Sequence, residues 1–235
     1  MAIISCKNVS KIYEMGEVTI KALDNISLEI EPSQFVSFVG PSGSGKTTIL
    51  NLFGCLDKPT TGSLTVMDTD ITKLNYLERA KFRGEHLGFI FQNFNLIPVL
   101  TVFENVEYPL IMVKTMAKEE RKEKVLSLLD AVGMLDQKDK MINQISGGQM
   151  QRVAIARALT TDPKIVFADE PTANLDSKSA KMVMSLMRKL SIEKGTSFVF
   201  STHDHKIVDE VDVIYTIEDG VFVDKVIKEG GKENV

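Results

Sequence analysis

The hydrophobic positions of the chain change their spacing several times, and each spacing predicts a different element. Ile26, Leu28 and Ile30 alternate with polar neighbours, which is the pattern of a half-buried strand. The apolar run Phe35–Val39 ends in a glycine-rich turn and predicts a fully buried strand. Residues 46–55 then carry apolar side chains at helical spacing. The first part of the chain therefore predicts strands that lead into a helix.

The middle of the chain has a helical pattern. Val125, Leu128, Leu129 and Val132 stand at positions i, i+3, i+4 and i+7 of one predicted helix, whose opposite face is charged. We therefore expect a mostly helical subdomain over residues 93–158.

Strand and helix patterns alternate again toward the C-terminal end. Short strands are predicted at 62–67, 87–91, 164–168 and 197–201, and a helix closed by Gly195 is predicted at 177–194. The Asp219-Gly220 pair within 213–226 is a hairpin-turn signal, and residues 230–234 are expected to fray. Strands that alternate with helices predict an α/β domain with a largely parallel sheet.

Composition and charge narrow the class of protein. The chain has 235 residues, of which 43% are hydrophobic and 26% charged, so we expect a single folded domain over 1–235. It carries 28 basic and 32 acidic residues, a net charge of −4. A mildly acidic chain gives no strong electrostatic reason to bind nucleic acid, and we expect no nucleic-acid partner.

Cysteine usage and apolar stretches predict the cellular compartment of the protein. Two cysteines cannot form a disulfide framework, which favours a reducing cytoplasm. The N-terminal residues lack the pattern of a signal peptide. The most apolar stretch, 96–113, includes Glu104, Glu107 and two prolines, so it does not predict a membrane span. Any role at a membrane must then come through a partner.

The sharpest chemical signal is a match to the phosphate-binding pattern G-x-x-x-x-G-K-[ST] between a predicted strand and a predicted helix. The segment consists of Gly40, Pro41, Ser42, Gly43, Ser44, Gly45, Lys46, Thr47 and Thr48. Its glycines let backbone N–H groups face phosphates at the positive end of a helix. Lys46 can reach the β- and γ-phosphates, and Thr47 can offer its hydroxyl to Mg²⁺. The alternative is a plain glycine- and serine-rich helix cap, which the strand–loop–helix context disfavours.

Two adjacent carboxylates follow the predicted strand 164–168. The carboxyl ends of strands are where open α/β sheets bind ligands. Asp169 is placed to hold Mg²⁺ or its water, and Glu170 could accept a proton from an attacking water. Taken alone, the pair could equally cap the turn before Pro171.

A second glycine-rich helix start lies about a hundred residues after the first. It comprises Ile145, Ser146, Gly147, Gly148 and Gln149. Ser146 and Gln149 fit a capping box, which would explain the segment structurally. The two glycines also leave bare amides at a helix N-terminus, which is the chemistry of a second anion site.

Together these motifs resemble the nucleotide-binding subunit of an ATP-binding-cassette (ABC) transporter. The matching positions stand in the family's order over essentially the whole chain: 40–48, Gln92, 145–149, 166–170, Leu175-Asp176 and His203. One departure is Ile145 where leucine is usual, a nearly isosteric change. The resemblance implies an α/β P-loop NTPase (RecA-like) core, with an N-terminal antiparallel β subdomain and a helical ABC subdomain.

The resemblance also implies an ATPase that works as a homodimer in its ATP-bound state. Two copies would meet head to tail, with each ATP between segment 40–48 of one copy and residues 145–149 of the other. Asp176 matches a position that the family places at this interface; by itself, it could simply cap helix 177–194.

The implied reaction is the attack of a water on the γ-phosphate of MgATP. In this assignment Glu170 is the general base, and Lys46 and the backbone amides stabilise charge. Thr47, Gln92 and Asp169 would organise Mg²⁺.

Two of the remaining matching residues have plain structural alternatives. Tyr13 matches the aromatic residue that stacks on adenine, but it could instead pack at a strand edge. Gln92 matches a residue that senses Mg²⁺ and the attacking water, but it could be an ordinary turn residue. His203 matches the histidine that contacts the γ-phosphate.

Segments 54–62 and 94–110 indicate which branch of the family the chain resembles. They are similar to the lipoprotein-releasing and macrolide-export branch, and somewhat to the cell-division relative. This branch implies a separate membrane permease, export or membrane extraction, and a peripheral position on the cytoplasmic face of the cell membrane. We expect the permease to dock near 94–110, directly after Gln92; the competing account is that Phe94, Leu96 and Leu100 fill the helical core.

Three other classes of protein are weaker matches. A P-loop kinase or a GTPase would explain neither residues 145–149 nor a helical insertion at that place. A non-transport ABC ATPase acting on DNA or the ribosome would usually carry long coiled-coil insertions or two cassettes. A regulatory ATP-binding module without turnover would be expected to lack a carboxylate at position 170.

Overall fold

The computed structural model describes residues 1–16, 18–203 and 211–228. Its strands are β1 (Ile4–Met15), β2 (Val18–Ile30), β3 (Phe35–Val39), β4 (Thr61–Val66), β5 (Thr69–Asp70), β6 (Leu87–Ile90), β7 (Ile165–Ala168), β8 (Ser197–Thr202), β9 (Val213–Glu218) and β10 (Val221–Ile227). Its α-helices are α1 (Lys46–Phe53), α2 (Tyr76–His86), α3 (Val102–Val113), α4 (Lys118–Ala131), α5 (Gly147–Leu159) and α6 (Ser177–Lys194). Short 3-10 turns lie at Ile71–Lys73, Leu135–Gln137 and Ile142–Gln144.

The strands form two sheets, as the α/β prediction with an antiparallel N-terminal part requires. The larger sheet has the order β10-β9-β3-β8-β7-β6, and its strands from β9 to β6 are parallel. The smaller sheet, in the order β2-β1-β4-β5, is antiparallel. The carboxyl ends of β3, β7 and β8 meet at one edge of the larger sheet, so the loops that follow them converge there.

Two apolar cores flank the larger sheet. One lies between this sheet, the smaller sheet and α1, and includes Phe38, Phe53 and Tyr215. The other joins the opposite face of the sheet to helices α3, α4, α5 and α6. The predicted helical segment 93–158 contains α3, α4 and α5, and these helices share their core with the sheet.

Local signals predicted several boundaries correctly. Helix α6 spans 177–194 as predicted and ends at Gly195. Asp176 is its N-cap, with Oδ1 accepting hydrogen bonds from the backbone N–H groups of Lys178 and Ser179. A cap of this kind contributes about 1 kcal/mol to helix stability. The hairpin turn between β9 and β10 falls at Asp219-Gly220, as predicted. The expected frayed segment 230–234 lies outside the described residues.

Other boundaries moved by one residue, and one helix was not predicted. The predicted strand 87–91 ends at Ile90, and the predicted strand 197–201 extends to Thr202. Helix α2 buries only Phe82, so its sequence lacks the repeating apolar positions that reveal an amphipathic helix. Its start is fixed by a capping box between Asn75 and Glu78.

Both cysteines, Cys6 and Cys55, are buried free thiols. Burial raises the pKa of Cys55 to about 12 and the pKa of Cys6 to about 11. Both therefore behave as small apolar side chains. In the ranges that the structure describes, no helix is long and apolar enough to cross a membrane.

Candidate active site

A cleft of about 710 Å³ lies at the carboxyl edge of the larger sheet. It brings together residues predicted from four separate parts of the sequence: Ser42, Gly43, Gly45, Lys46, Thr47, Thr48, Gln92, Glu170 and His203. Ile20, Lys21 and Ala22 of β2 and the turn Asp219-Gly220 close its sides. The sequence did not predict that these two segments line a site, because neither carries a chemical motif.

The loop between β3 and α1 needs glycine at two places because backbone atoms approach it closely. A Cβ at Gly40 would lie 2.0 Å from the carbonyl oxygen of Ile217, and a Cβ at Gly45 would lie 2.7 Å from that of Ala22. Gly45 is also left-handed, with φ of 104°, and α1 has no side-chain cap. The first amides of α1 are thus left without a capping side chain at the positive end of the helix.

Lys46 is a buried cation held by two carbonyl oxygens. The residue is only 7% exposed. Its Nζ donates hydrogen bonds to the carbonyl oxygens of Gly40 at 2.8 Å and Pro41 at 2.7 Å. Among the described residues, no carboxylate lies within ion-pair distance of it. Because a buried charge is costly without a counter-charge, this ammonium is well suited to an anionic ligand.

Asp169 lies between two hydroxyl groups. Thr47 Oγ1 lies 3.1 Å from both of its carboxylate oxygens, and Ser201 Oγ donates to its Oδ1 at 2.6 Å. Thr47 is in the first turn of α1 and Ser201 is in β8. The cluster therefore joins helix and sheet and consists of oxygen ligands.

Glu170 is held at both its backbone and its side chain. Its Oε2 lies 2.9 Å from His203 Nδ1, and its backbone N–H donates to Ser201 Oγ at 2.9 Å. Its φ of 46° is in the left-handed region, which is uncommon for a residue with a side chain. The sequence predicted Glu170 and His203 as site residues and missed Ser201, since a serine inside a strand gives no motif.

Asn174 and Arg157 bind the segment that follows β6. No sequence motif had pointed to either residue. Asn174 Nδ2 donates to the carbonyl oxygen of Gln92 at 2.9 Å and to Asn93 Oδ1 at 3.2 Å. From α5, Arg157 donates to the carbonyl oxygens of Phe94, at 2.8 Å, and Asn95. The loop with Gln92 is therefore linked to both the α5 helix and the segment before α6.

Tyr13 lies beside the cleft and belongs to a polar cluster. Its hydroxyl donates to Asp57 Oδ2 at 3.1 Å, and Lys11 Nζ lies 2.8 Å from the same oxygen and 4.8 Å from the centre of the Tyr13 ring. Burial, and then the Asp57 charge, raise the pKa of Tyr13. Its cross-strand partner Ile20 lines the cleft.

Asp57 keeps its negative charge in this cluster. Burial is the largest influence on its pKa and raises it, but hydrogen bonds from Lys11, the Lys58 backbone N–H and Tyr13, with the Lys11 charge, outweigh burial and lower the pKa overall. Tyr13 is thereby fixed at the edge of the cleft by partners on two different segments.

Residues 146–149 lie away from this cleft. Ser146, Gly148 and Gln149 line a separate hollow of about 180 Å³ together with Arg152 and the start of α6. The predicted capping box is present, with Gln149 Oε1 accepting from the Ser146 N–H at 2.9 Å and Ser146 Oγ accepting from the Gln149 N–H at 3.4 Å. One chain alone does not bring the two glycine-rich helix starts together.

Asp176 caps helix α6, which was the structural alternative to a role at a dimer interface. Besides its two backbone contacts, its Oδ2 accepts a hydrogen bond from Ser179 Oγ at 2.6 Å. The hydrogen bonds from the Ser179 hydroxyl and backbone lower the pKa of Asp176. Its place at a dimer interface stays a prediction.

Comparisons with known proteins identify the family of the chain. Residues 23–173 match the ABC transporter family. The lipoprotein-releasing system ATP-binding protein LolD of Francisella tularensis is 44% identical and covers 93% of this chain and 94% of its own. The macrolide export protein MacB of Rhodopirellula baltica is 42% identical over 95% of this chain, which spans 33% of MacB.

A solved structure is also similar. The ATP-binding cassette MJ0796, in a dimeric post-hydrolysis state bound to ADP and Pi, has a TM-score of 0.89 and 44% identity, covering 97% of this chain and 99% of its own. The fold, the matched residues and the relatives agree on one assignment. The chain belongs to the ABC transporter family, as an ATP-binding subunit that is an ATPase.

Proposed function

We propose that the cleft hydrolyses MgATP at a site completed by a second copy of the chain, and that hydrolysis drives a separate membrane permease. One observation carries the proposal. A single cleft contains the buried Lys46 ammonium, with no ion-pair partner among the described residues, and the Glu170–His203 pair, with the Thr47–Asp169 cluster at its edge.

The residues fit the triphosphate of ATP. Lys46 supplies a positive charge that carbonyl oxygens hold in place, and the uncapped start of α1 supplies backbone N–H groups. Tyr13 offers an aromatic ring at the edge of the cleft, where adenine would stack. The Lys11 ammonium and the Asp57 carboxylate keep that ring in place.

The residues also fit Mg²⁺. Thr47, Gln92 and Asp169 would hold the ion through oxygen atoms. Mg²⁺ commonly takes one or two carboxylates and completes its shell with water and substrate phosphates. When bound, Mg²⁺ supplies positive charge that offsets the negative charge of the phosphates.

The chain's own groups divide the remaining work. Glu170 takes a proton from the attacking water as general base. His203, whose Nδ1 lies 2.9 Å from that carboxylate, fixes the side chain and contacts the γ-phosphate. Lys46 and the first amides of α1 stabilise the charge that develops on the transferred group.

The second copy would contribute residues 146–149. These residues face a separate hollow in one chain, and Ser146 Oγ contacts the Gln149 N–H only at the long distance of 3.4 Å. Because so long a hydrogen bond is weak, the hydroxyl and the neighbouring amides could turn to a phosphate from another copy. The dimeric state of the similar cassette MJ0796 supports this arrangement.

A groove on another side of the protein supports a permease partner. It measures about 390 Å³ and includes Asn95 and Pro109 of the predicted docking segment, Phe89 and Phe91 near β6, and Arg83 of α2. Val99 and Met112 are strongly exposed, at 78% and 64%. Leu96, in contrast, packs on the helical core. An amphipathic helix with an acidic residue would fit the apolar, basic surface.

The proposal places the chain peripherally on the cytoplasmic face of a membrane, as part of an export or membrane-extraction system. Its transporter relatives favour this function over a role at DNA or the ribosome.

The most direct test is turnover of ATP by Lys46→Ala. Loss of the charge at the β- and γ-phosphates should reduce hydrolysis to background. Lys189→Ala, which removes an exposed lysine of α6 that faces Glu193, should leave hydrolysis unchanged. Wild-type turnover in Lys46→Ala would overturn the proposed function.

A further inference from the structure

The hydroxyl group of Ser201 contacts both acidic residues of the site. It donates a hydrogen bond to Asp169 Oδ1 at 2.6 Å and accepts one from the backbone N–H of Glu170 at 2.9 Å. The short bond to a carboxylate is charge-assisted and belongs to the strong class of hydrogen bonds. The hydroxyl's proton and one of its lone pairs are thus used on adjacent residues.

The position of Ser201 makes this bridge rigid. The residue is fully buried, with an exposure of 0%, in β8, which lies between β3 and β7 in the sheet. A hydroxyl in such a place keeps its partners because water cannot replace them. Ser37, equally buried on the neighbouring strand β3, has no hydrogen-bond partner for its hydroxyl among the described residues. Burial alone therefore does not explain the contacts of Ser201.

Strand β8 holds Glu170 from two positions that are two residues apart. Ser201 binds its backbone N–H, and His203, just beyond the end of β8, binds its carboxylate. Between these contacts Glu170 adopts the left-handed φ of 46°. Such a conformation persists only when the surroundings fix it. The Ser201 hydroxyl is one of the groups that fix it.

We propose that Ser201 is a positioning residue that sets Asp169 on the metal side and Glu170 on the water side in a fixed relation to each other. Without the hydroxyl, Asp169 would be oriented by Thr47 alone among its described side-chain partners. The Glu170 N–H would lose its acceptor. The inference rests on the proposed function, because it assigns Asp169 to Mg²⁺ and Glu170 to the attacking water.

Ser201→Ala tests the inference, with Ser37→Ala as the matched control on the adjacent strand. Binding of a non-hydrolysable ATP analogue is measured by calorimetry in EDTA and then across a Mg²⁺ titration. In Ser201→Ala, affinity in EDTA should equal that of the wild type, while the Mg²⁺ concentration needed for half of the Mg²⁺ effect should rise severalfold. Turnover should fall by about tenfold to a hundredfold, the range for losing a hydrogen bond to a charged group. Ser201→Thr, which keeps the hydroxyl, should recover most of both properties.

A second measurement uses the wild-type protein and does not depend on how the variants fold. The hydrogen bond to Ser201 predicts that the Glu170 amide exchanges slowly with solvent, as followed by nuclear magnetic resonance. Fast exchange of this amide would contradict the inference. So would a normal Mg²⁺ titration in Ser201→Ala, or a Ser37→Ala variant that shows the same shift.

Failure of this inference can be told apart from failure of the proposed function. If Asp169→Asn and Glu170→Gln lose turnover while Ser201→Ala behaves as the wild type, only the role of Ser201 is wrong. If Asp169→Asn and Glu170→Gln both turn over normally, the proposed function itself is wrong.

Discussion

Helices α1 and α5 both begin in glycine-rich segments that include serine, but their first turns have different surroundings. The start of α1 has no side-chain cap and opens into the large cleft with Lys46, Glu170 and His203. The start of α5 is closed by the Ser146–Gln149 capping box and faces a hollow lined by Arg152 and α6. Two similar local patterns therefore lie in different surroundings, one within the cleft and one at a separate hollow.

The difference shows that a helix N-terminus gives only part of a phosphate site. Its amides and dipole are the same at α1 and α5. What distinguishes the two is the set of side chains that other strands deliver. At α1 the sheet edge supplies two carboxylates, a serine and a histidine. Among the described residues, no carboxylate or histidine lines the hollow at α5, and we propose that this helix start serves the opposite copy.

The largest expected effect comes from Glu170→Gln. The change keeps the size of the side chain but removes the base, so turnover should drop by about 10²–10⁴. It also removes a negative charge near the γ-phosphate, so the ATP-bound dimer should accumulate. Size-exclusion chromatography should show a shift from monomer to dimer with ATP and none with ADP.

The same experiment tests whether the ATP site is shared between two copies. Adding Ser146→Arg to Glu170→Gln should abolish the dimer shift, because a bulky side chain would enter the phosphate face of the opposite copy. An ATP-loaded Glu170→Gln protein that stays monomeric at tens of micromolar, roughly the range of weak interfaces, would count against a composite site.

Mixing two impaired variants tests whether the two helix starts act between copies. Lys46→Ala removes the charge at the α1 start, and Ser146→Ala removes the hydroxyl at the α5 start without adding bulk, so each protein alone should have low turnover. A mixed dimer contains one intact site, built from the good half of each chain. If pairing is random and sites act independently, turnover should recover to about a quarter of the wild-type value. No recovery, with mixed dimers shown to form, would contradict action between copies.

A smaller effect is expected at the adenine edge of the cleft. Tyr13→Ala should raise the apparent dissociation constant of ATP by up to about tenfold, if the lost stacking contributes about 1 kcal/mol. Tyr13→Phe should recover most of the affinity because it keeps the ring, although it loses the Asp57 hydrogen bond. If Phe binds no better than Ala, the ring does not stack on adenine.

The smallest effect on the isolated ATPase is expected at exposed apolar residues within and just after segment 94–110. Val99→Glu and Met112→Glu place charges on such positions and should leave turnover of the isolated chain unchanged, while they remove stimulation by the permease. Ile192→Glu, at an exposed position of α6, is the matched control and should keep both properties. Loss of folding in both Val99→Glu and Met112→Glu would instead favour the account in which 94–110 serves only the core.

The features that depend on residues close together in the chain could be predicted from the sequence. The loop 40–48, the cap Asp176 and the turn at 219–220 were all predicted and found. Their signals are local, because glycine, capping oxygens and helical spacing act over a few residues. The adjacent carboxylates after β7 were also found at the predicted sheet edge.

The contacts between segments far apart in the chain could be known only from the tertiary structure. Ser201 meets Glu170 across 31 positions of the chain, and Asn174 meets Gln92 across 82. Neither residue type carries a motif, so only the order of the strands brings these groups together. Helix α2 escaped prediction for a related reason, since Phe82 is its one buried side chain. The separation of Ser146 from the cleft is likewise a property of the fold, because a sequence reports spacing along the chain and not which surfaces face each other.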